Sequence, residues 1–314
     1  MKVRLRPLAL LALVLSGACI SRREQRRDRG EDHADVLRGA PDACANALDG
    51  GAAVTRFAVI GDYGQAGPSE GDVAALVSRW RPDFVITLGD NNYPDGAAET
   101  IDANIGQYFH SYIAPYTGQF GAGAADNRFF PSLGNHDWLT PDAAPYLAYF
   151  SLPGNERYYD FTRGDVHLFA LDSDPSEPDG VTADSAQAQW LRAGLRAAPE
   201  RWRIVYMHHP PYSSGPHGST TDLQWPFPSW GASLILSGHD HDYERLDVEG
   251  LTYVVCGLGG AMPYEFGAPL PATQTRFSGG FGAGLIEASA DHLRLRFYTV
   301  DGTMVDQACL GPSP

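Results

Sequence analysis

Five short segments of this sequence combine aspartate, asparagine, tyrosine and histidine, the residue types that offer oxygen and nitrogen lone pairs to a metal ion. They are Gly61-Asp62-Tyr63-Gly64, Gly89-Asp90-Asn91-Asn92-Tyr93, Gly134-Asn135-His136-Asp137, Val205-Tyr206-Met207-His208-His209 and Gly238-His239-Asp240-His241. None of the five contains a cysteine, which argues against a structural zinc site built from thiolates. Mixed carboxylate and imidazole donors are typical of iron, zinc or manganese sites. The residue types therefore predict a metal centre.

Each segment also has an ordinary structural explanation when it is taken alone. Gly-Asp after a strand is usually a turn, a lone His208 is more often a satisfied core residue than a ligand, and His239 with His241 could be surface histidines. The five segments together, in one order and each at the end of a strand-like run, indicate a single site. Asp137 and Asp172 could orient a ligand imidazole, or they could be caps and turn residues.

The elements that must position these side chains are those of an α/β protein. Strand-like runs cover 57–60, 84–88, 167–171, 204–207, 233–236, 253–255 and 293–298, and helical spacing covers 72–80 and 183–198. Most of these runs end in a polar cluster, and open α/β sheets bind their ligands at the carboxyl ends of strands. We interpret the glycine-rich stretches 257–260 and 279–284 as turns or flexible loops near the site, because neither leads into a lysine-bearing helix.

The charge of the chain restricts its partners. The sequence has 38 acidic and 23 basic residues, for a formal net charge of −15. Diffuse surface charge of this sign repels a nucleic-acid backbone, so we expect no nucleic-acid partner. If the protein handles phosphate, the positive charge must come from elsewhere, and bound metal ions are the natural source.

The chain divides into three predicted parts. Residues 1–18 are predicted to be an export signal, 19–52 a flexible tether, and 53–310 one catalytic domain. The first part has a basic start followed by the apolar run 8–15, which is too short to span a bilayer. The tether is crowded with charged residues and has no apolar period. We therefore expect an exported protein that is periplasmic, secreted or lipid-anchored at the cell envelope.

Four cysteines accompany this predicted export. Cys19 directly follows the small residues of the predicted cleavage site, so it could carry a lipid and attach the protein to a membrane. Ordinary cleavage before Cys19, or an N-terminal anchor that is never cut, would leave it without one. Two of Cys44, Cys256 and Cys309 could pair outside the cytosol, and connectivity does not follow from sequence. Cys44 and Cys309 flank the folded part and could tie its ends together, while Cys256 could be a buried thiol.

Taken together, the five segments resemble the calcineurin-like metallophosphoesterases, and within them the purple acid phosphatases. The resemblance covers roughly residues 54–300, and the run Gly-His-Asp-His-Asp-Tyr-Glu-Arg at 238–245 is similar to the last block of the family pattern. It implies an α/β fold, a four-layer α-β-β-α sandwich with a dinuclear metal site at the strand ends. The chain has no room for the extra N-terminal β domain of the large plant enzymes, so it resembles the small, single-domain type.

The resemblance also implies a role for each matching residue. Asp62, Tyr93 and His241 would bind a first metal, Fe(III) in the family. Asn135, His208 and His239 would bind a second metal, Fe(II), Zn(II) or Mn(II), and Asp90 would bridge the two. Tyr93 decides the subfamily, because a phenolate on Fe(III) gives the purple enzymes their colour. As an alternative, Tyr93 could be a packing tyrosine beside a loop proline.

These roles imply a metal-dependent acid phosphatase that hydrolyses small phosphate monoesters by attack of a metal-bound hydroxide. His136 and His217 are the candidates for gripping phosphate and protonating the leaving group, and Asn135 would also face the substrate. His209 would support the ligands rather than bind a metal. Two alternatives remain: a phosphodiesterase that uses the same two-metal centre, and a non-catalytic metal- or phosphate-binding lipoprotein.

Overall fold

The structure is a computed structural model that describes residues 53–311 together with Cys44 and Leu48. The predicted export signal over 1–18, the lipidation site Cys19 and the rest of the predicted tether over 19–52 lie outside the described residues. Their boundaries therefore stay predictions.

In the described part of the chain, thirteen strands form two mixed β-sheets. The first sheet contains, in spatial order, β13 (Met304–Leu310), β12 (Leu293–Thr299), β11 (Gly282–Ala288), β1 (Thr55–Ile60), β2 (Phe84–Thr87) and β3 (Phe129–Pro131). The second contains β10 (Thr273–Phe277), β8 (Tyr243–Val248), β9 (Leu251–Cys256), β7 (Leu234–Ser237), β6 (Trp202–Tyr206), β5 (Val166–Ala170) and β4 (Tyr159–Arg163).

Six helices accompany the described strands. They are α1 (Pro68–Trp80), α2 (Ala98–Ile101), α3 (Gln107–Phe109), α4 (Ala144–Tyr149), α5 (Ala186–Ala197) and α6 (Phe227–Trp230), with a π-helical turn Asp102–Gly106 between α2 and α3. Short 3₁₀ turns occur at His110–Tyr112, Asp137–Leu139, Pro141–Ala143 and Thr221–Leu223. The side chain of Ser185 begins α5 by accepting a hydrogen bond from the backbone N–H of Ala188, the usual role of serine at a helix start.

Alternation along the strands creates a four-layer sandwich. Side chains of β5 and β6 that face the other sheet lie in one core, namely Leu168, Ala170, Ile204 and Tyr206. Their neighbours Phe169 and Val205 point the opposite way and pack under the buried face of α5. Helix α1 packs against β11 of the first sheet. The α-β-β-α order that the resemblance implied is therefore confirmed, and so are the predicted strands and both predicted helices, within a few residues at their ends.

The direction of the strands places the five polar segments together. Strand β1 is parallel to β2 and β2 to β3, and in the second sheet β5, β6, β7 and β9 are parallel neighbours. Parallel neighbours end at the same edge of a sheet. Because the two sheets are packed face to face, their carboxyl edges deliver loops to one place.

One expectation about the glycine-rich stretches is wrong. Residues 279–284 were expected to form a turn or flexible loop, yet Gly282 and Gly284 belong to β11, which is buried along its whole length and pairs with β1 and β12. A side chain at Gly284 would press on Val59 of the neighbouring strand. Glycine serves here for close packing inside a central strand.

A disulfide joins Cys44 to Cys309 on β13, so the proposed tie between the ends of the folded part is confirmed. Cys256 is a buried free thiol at the end of β9. The bridge closes a loop of 265 residues. Closing so long a loop restricts the unfolded chain, which typically stabilises a protein by about 2–5 kcal/mol.

We therefore expect Cys309→Ser to lower the free energy of unfolding by about 2–5 kcal/mol in a urea titration. Dithiothreitol should lower the midpoint of the wild type and leave that of the variant unchanged. Equal midpoints for the oxidised wild type and the variant would contradict a stabilising role.

Candidate metal centre

Seven side chains that the sequence singled out as metal ligands converge between the carboxyl edges of the two sheets. They follow the ends of five strands: Asp62 after β1, Asp90 and Tyr93 after β2, Asn135 after β3, His208 after β6, and His239 and His241 after β7. All but Tyr93, Asn135 and His239 are buried.

The first group surrounds the hydroxyl of Tyr93. Its Oη lies 2.9 Å from Oδ2 of Asp90, 3.2 Å from Nε2 of His241 and 3.4 Å from Oδ1 of Asp62. Nε2 of His241 is in turn 3.5 Å from Oδ1 of Asp62. The ring of His241 is oriented by its Nδ1–H, which donates to the carbonyl oxygen of Met262 at 2.9 Å. Nε2 of His241 is therefore the nitrogen that is free to act as a ligand.

The second group surrounds Nε2 of His208. This nitrogen lies 2.9 Å from Oδ1 of Asn135, 3.1 Å from Nδ1 of His239 and 3.4 Å from Oδ1 of Asp90. The Nδ1–H of His208 donates to the carbonyl oxygen of Leu88 at 2.8 Å, so the ring presents Nε2 to the group. Asp90 uses one carboxylate oxygen toward each group, as a bridging ligand must.

The donor set fits a pair of metal ions. Nitrogen and oxygen ligands lie about 2.0–2.2 Å from such ions, so neighbouring ligands at right angles lie about 3 Å apart. The distances of 2.9–3.5 Å within each group match that spacing. In each group oxygen and nitrogen atoms with lone pairs converge, and no sulfur is among them. The residues therefore suit iron, zinc or manganese better than a thiolate zinc site.

Backbone strain is concentrated at these same residues. Asp62, Asp90 and His239 have φ angles of +55°, +50° and +71°, a region that side chains other than glycine seldom adopt. Gly134 approaches so closely that a Cβ there would lie 2.2 Å from the backbone nitrogen of Asp90. Strain of this kind persists only where the surroundings enforce it, and it marks functional sites.

Burial and neighbouring charges shift the pKa values of several candidate ligands. Burial raises the pKa of Asp62, and the neighbouring His241 imidazole only partly opposes this rise. Burial, followed by the charges of Asp62 and Asp90, raises the pKa of the Tyr93 hydroxyl far above its usual range. Burial and then His208 lower the pKa of His239. Bound cations would favour the ligating, deprotonated form of each group, so metal binding here is coupled to proton release.

The two histidines expected to act on the substrate lie beside different residues of the candidate metal centre. The ring of His136 lies 4.4 Å from that of Tyr93, and its Nε2 is 3.9 Å from Oδ2 of Asp90. The exposed ring of His217 lies 4.3 Å from that of His239. The structure therefore brings one of them to each ligand group.

His209 lies behind the second group. Its ring is 4.5 Å from the ring of His239, and its Nδ1 contacts the hydroxyl of Ser173 at 3.0 Å. Burial lowers its pKa to about 3, so it is neutral. Nitrogens of His208, His209 and His239 are close enough to share one ion. The contact with Ser173 is what a supporting residue would make.

Of the two roles left open for Asp137 and Asp172, their hydrogen bonds match that of turn residues. Oδ2 of Asp137 accepts from the backbone of Gly134 and from the amide of Asn91, which shapes the turn that carries Asn135. Asp172 accepts from the indole N–H of Trp138 and from a backbone N–H two residues on. Among the described residues, neither contacts an imidazole.

Sequence reasoning missed Tyr264, which follows β9. Its ring stacks on that of His241 at 4.1 Å and meets the ring of His217 edge to face at 5.5 Å. Tyr264 belongs to none of the five segments. Its contacts with His241 and His217 join loops that follow different strands, so no local sequence pattern indicates them. Its placement became apparent only from the fold.

Comparison with known proteins agrees with this geometry. The calcineurin-like phosphoesterase family matches residues 55–243. Human (Homo sapiens) tartrate-resistant acid phosphatase type 5 is 26% identical over 68% of this chain and 75% of its own length. Purple acid phosphatase 17 of Arabidopsis thaliana is 27% identical over 65% of this chain and 68% of its own length. A purple acid phosphatase from yellow lupin (Lupinus luteus) seeds superposes with a TM-score of 0.68 at 19% identity, covering 83% of this chain and 54% of the lupin chain.

Proposed function

Because the chain belongs to the calcineurin-like phosphoesterase family, we propose that it is an exported acid phosphatase that hydrolyses phosphate monoesters. The chain is a phosphoester hydrolase of the purple acid phosphatase type, as its acid phosphatase relatives indicate. The observation that carries the proposal is the pair of ligand groups that share Asp90 at the carboxyl edges of the two sheets.

The proposal assigns the two groups to different metals. Asp62, Tyr93 and His241 would hold Fe(III), Asn135, His208 and His239 would hold Fe(II), Zn(II) or Mn(II), and Asp90 would touch both. When bound, the two ions supply positive charge to the phosphate and lower the pKa of the attacking water. The chain itself has a net charge of −15, so the positive charge of the metal ions is needed to hold an anionic substrate.

The remaining residues hold the substrate and move protons. The Nδ1–H of His136 donates to the carbonyl oxygen of Pro94, which leaves the lone pair of Nε2 to accept a hydrogen bond from a P–OH group of the monoester. A water that has lost one proton to solvent forms the new bond from its oxygen to phosphorus, while the P–O bond to the leaving group breaks in line. The electron pair of that bond goes to the ester oxygen, and His217, beside His239, gives it a proton.

A two-substrate assay tests the proposal. We expect purified, metal-loaded protein to hydrolyse p-nitrophenyl phosphate at acidic pH and to act much more slowly on bis(p-nitrophenyl) phosphate. A chelator that strips the metals should abolish both activities. Faster hydrolysis of the diester would replace the monoesterase with a phosphodiesterase, and activity on neither ester by protein that retains its metals would favour a binding protein.

Colour provides a separate check of the Tyr93 assignment. With the Tyr93 phenolate on Fe(III), oxidised protein should absorb broadly in the visible range and appear violet to pink. Tyr93→Phe removes the phenolate oxygen and should bleach this absorption while reducing activity less than a change at Asp90. The visible spectrum and the iron content of both proteins decide the matter. A colourless wild type with a full load of iron would remove the protein from the purple subfamily.

Export is supported by the basic and apolar start of the sequence and by the Cys44–Cys309 disulfide, since such bonds persist mainly in oxidising compartments. In the described part of the chain, no helix has both the length and the apolar character needed to cross a bilayer. Cell fractionation tests export, and the mass of the mature N-terminus distinguishes a lipidated Cys19 from simple cleavage. Uncleaved protein in the cytosol would overturn this part of the proposal.

A further inference from the structure

His217 depends on its loop for its position. It lies on the segment 213–219, which has no regular secondary structure, and its side chain is exposed. Its ring nevertheless lies 4.3 Å from the ring of His239 at the candidate metal centre. A proton donor must be held close to its productive geometry to be effective. The contacts that hold this loop therefore bear directly on catalysis.

Asp240 binds the loop with both oxygens of its buried carboxylate. Oδ1 accepts the backbone N–H of His217 at 2.9 Å, and Oδ2 accepts the hydroxyl of Ser213 at 2.5 Å. The hydroxyl of Ser213 also accepts the N–H of Gly215 at 2.9 Å. Gly215 lies so close that a Cβ on it would be 2.3 Å from Cγ of Asp240. The carboxylate thus sits inside the curve of the loop.

Glu244 binds the same loop at its first turn. Its Oε2 accepts the backbone N–H of Ser214 at 2.7 Å, and its Oε1 accepts the hydroxyl of Ser214 at 2.8 Å and that of Thr273 at 2.5 Å. Glu244 is fully buried on β8, so these bonds are shielded from water. Hydrogen bonds to a carboxylate are roughly twice as strong as those between neutral groups.

We propose that Asp240 and Glu244 are positioning residues that hold the 213–219 loop, and with it His217, against the metal centre. Asp240 lies between His239 and His241, and Glu244 lies three residues after His241. The segment 238–245 therefore carries two metal ligands and also fixes the loop that bears the acid. The catalytic consequence rests on the proposed function, while the structural tie does not.

The test alters the loop side of the contacts, so that the metal-binding segment keeps its sequence. The double variant Ser213→Ala/Ser214→Ala removes the two loop hydroxyls that bind Asp240 and Glu244, and leaves the bond from Thr273 to Glu244 in place. The control Ser237→Ala removes a buried hydroxyl that bonds only to the carbonyl of Val254 and does not touch the loop. We expect the double variant to keep two metals and to lose turnover about tenfold or more on an alkyl phosphate, but less than about threefold on p-nitrophenyl phosphate.

Amide hydrogen exchange supplies a measurement that does not depend on activity. The N–H groups of Gly215 and His217 should exchange about tenfold faster or more in the double variant. The variant loses the bonds from the hydroxyls of Ser213 and Ser214 to Asp240 and Glu244. In the wild type, each such bond to a charged group protects the segment by at least that factor. Amides of β6 and β7 should be unchanged, and Ser237→Ala should match the wild type on the loop. Unchanged exchange on the loop would overturn the proposal even if the wild type hydrolysed no ester.

Conservative variants separate a positioning role from a general loss of stability. Glu244→Gln can still accept the Ser214 N–H, so it should keep most of the loop protection and alkyl phosphatase activity that Glu244→Ala loses. Equal losses on both substrates in the double variant, with the metals retained, would contradict the positioning role. A wild type that is inactive on both esters but shows the predicted exchange would reject the proposed function and leave the tie intact.

Discussion

Asp90→Ala should purify with little of either metal and lose at least about 10³-fold in turnover on p-nitrophenyl phosphate. The carboxylate is the residue shared by the two ligand groups, with Oδ2 2.9 Å from Tyr93 Oη and Oδ1 3.4 Å from His208 Nε2. Its removal therefore takes one ligand from each ion. Because metal ions supply several kcal/mol of charge stabilisation in the transition state, a loss of this size follows.

Elemental analysis and activity should be measured together on wild type, Asp90→Ala and two comparison variants. His239→Ala removes a ligand from the second group alone and should reduce mainly one metal. Asp137→Asn alters a buried carboxylate whose hydrogen bonds, among the described residues, come from Asn91 and Gly134. This variant should therefore retain more of both metals than Asp90→Ala does. Retention of two full equivalents by Asp90→Ala would end the bridging assignment.

His217→Ala should reduce turnover by about 10²–10⁴-fold on an alkyl phosphate and only mildly on p-nitrophenyl phosphate. An alkoxide leaves poorly without a proton, whereas p-nitrophenolate is stable without one. The chain has a single lysine, Lys2, and arginine does not release its proton at working pH, so a histidine is the best donor near the centre. His217 lies beside His239, whereas His136 lies beside Tyr93.

His136→Ala is the matched comparison, because both variants remove one imidazole from the edge of the centre. We expect it to raise KM and to slow hydrolysis of both esters to a similar extent, since its Nε2 lies 3.9 Å from Oδ2 of Asp90, where the phosphate is proposed to bind. A plot of turnover against leaving-group pKa for both variants distinguishes the roles. If the slope steepens in His136→Ala and not in His217→Ala, the two roles must be exchanged.

Much of the metal centre was predictable from local sequence. Strands β1, β2, β6 and β7 are short apolar runs that stop at a polar cluster, and parallel neighbours in a sheet must end at one edge. The five segments together were therefore enough to predict one site, and the family resemblance then nominated Asp62, Asp90, Asn135 and His208 as its ligands. The same pattern predicted the α/β class and, through the family resemblance, the four layers.

The tertiary structure decided which atoms meet. It orients the ligand rings of His208 and His241 through backbone carbonyls of Leu88 and Met262, and it places Tyr264 on His241. It also makes a buried strand of a glycine-rich stretch that sequence favoured as a loop. Glycine suits this strand because a Cβ at Gly282 would lie 2.3 Å from the backbone oxygen of Tyr298 on the neighbouring strand.

The hydrogen bonds that the 213–219 loop donates to Asp240 and Glu244 are a further feature that the tertiary structure decided and local sequence did not predict. In the sequence, Asp240 and Glu244 belong to a predicted metal-binding segment, and His217 belongs to a separate predicted loop. No local sequence pattern indicates a hydrogen bond between the two segments. The connection exists because β6 and β7 are adjacent and parallel, so the loops that follow them share one edge of the sheet. Residue types and strand ends follow from short-range pattern, whereas hydrogen bonds between loops depend on which strands become neighbours, and only folding of the whole sheet determines that.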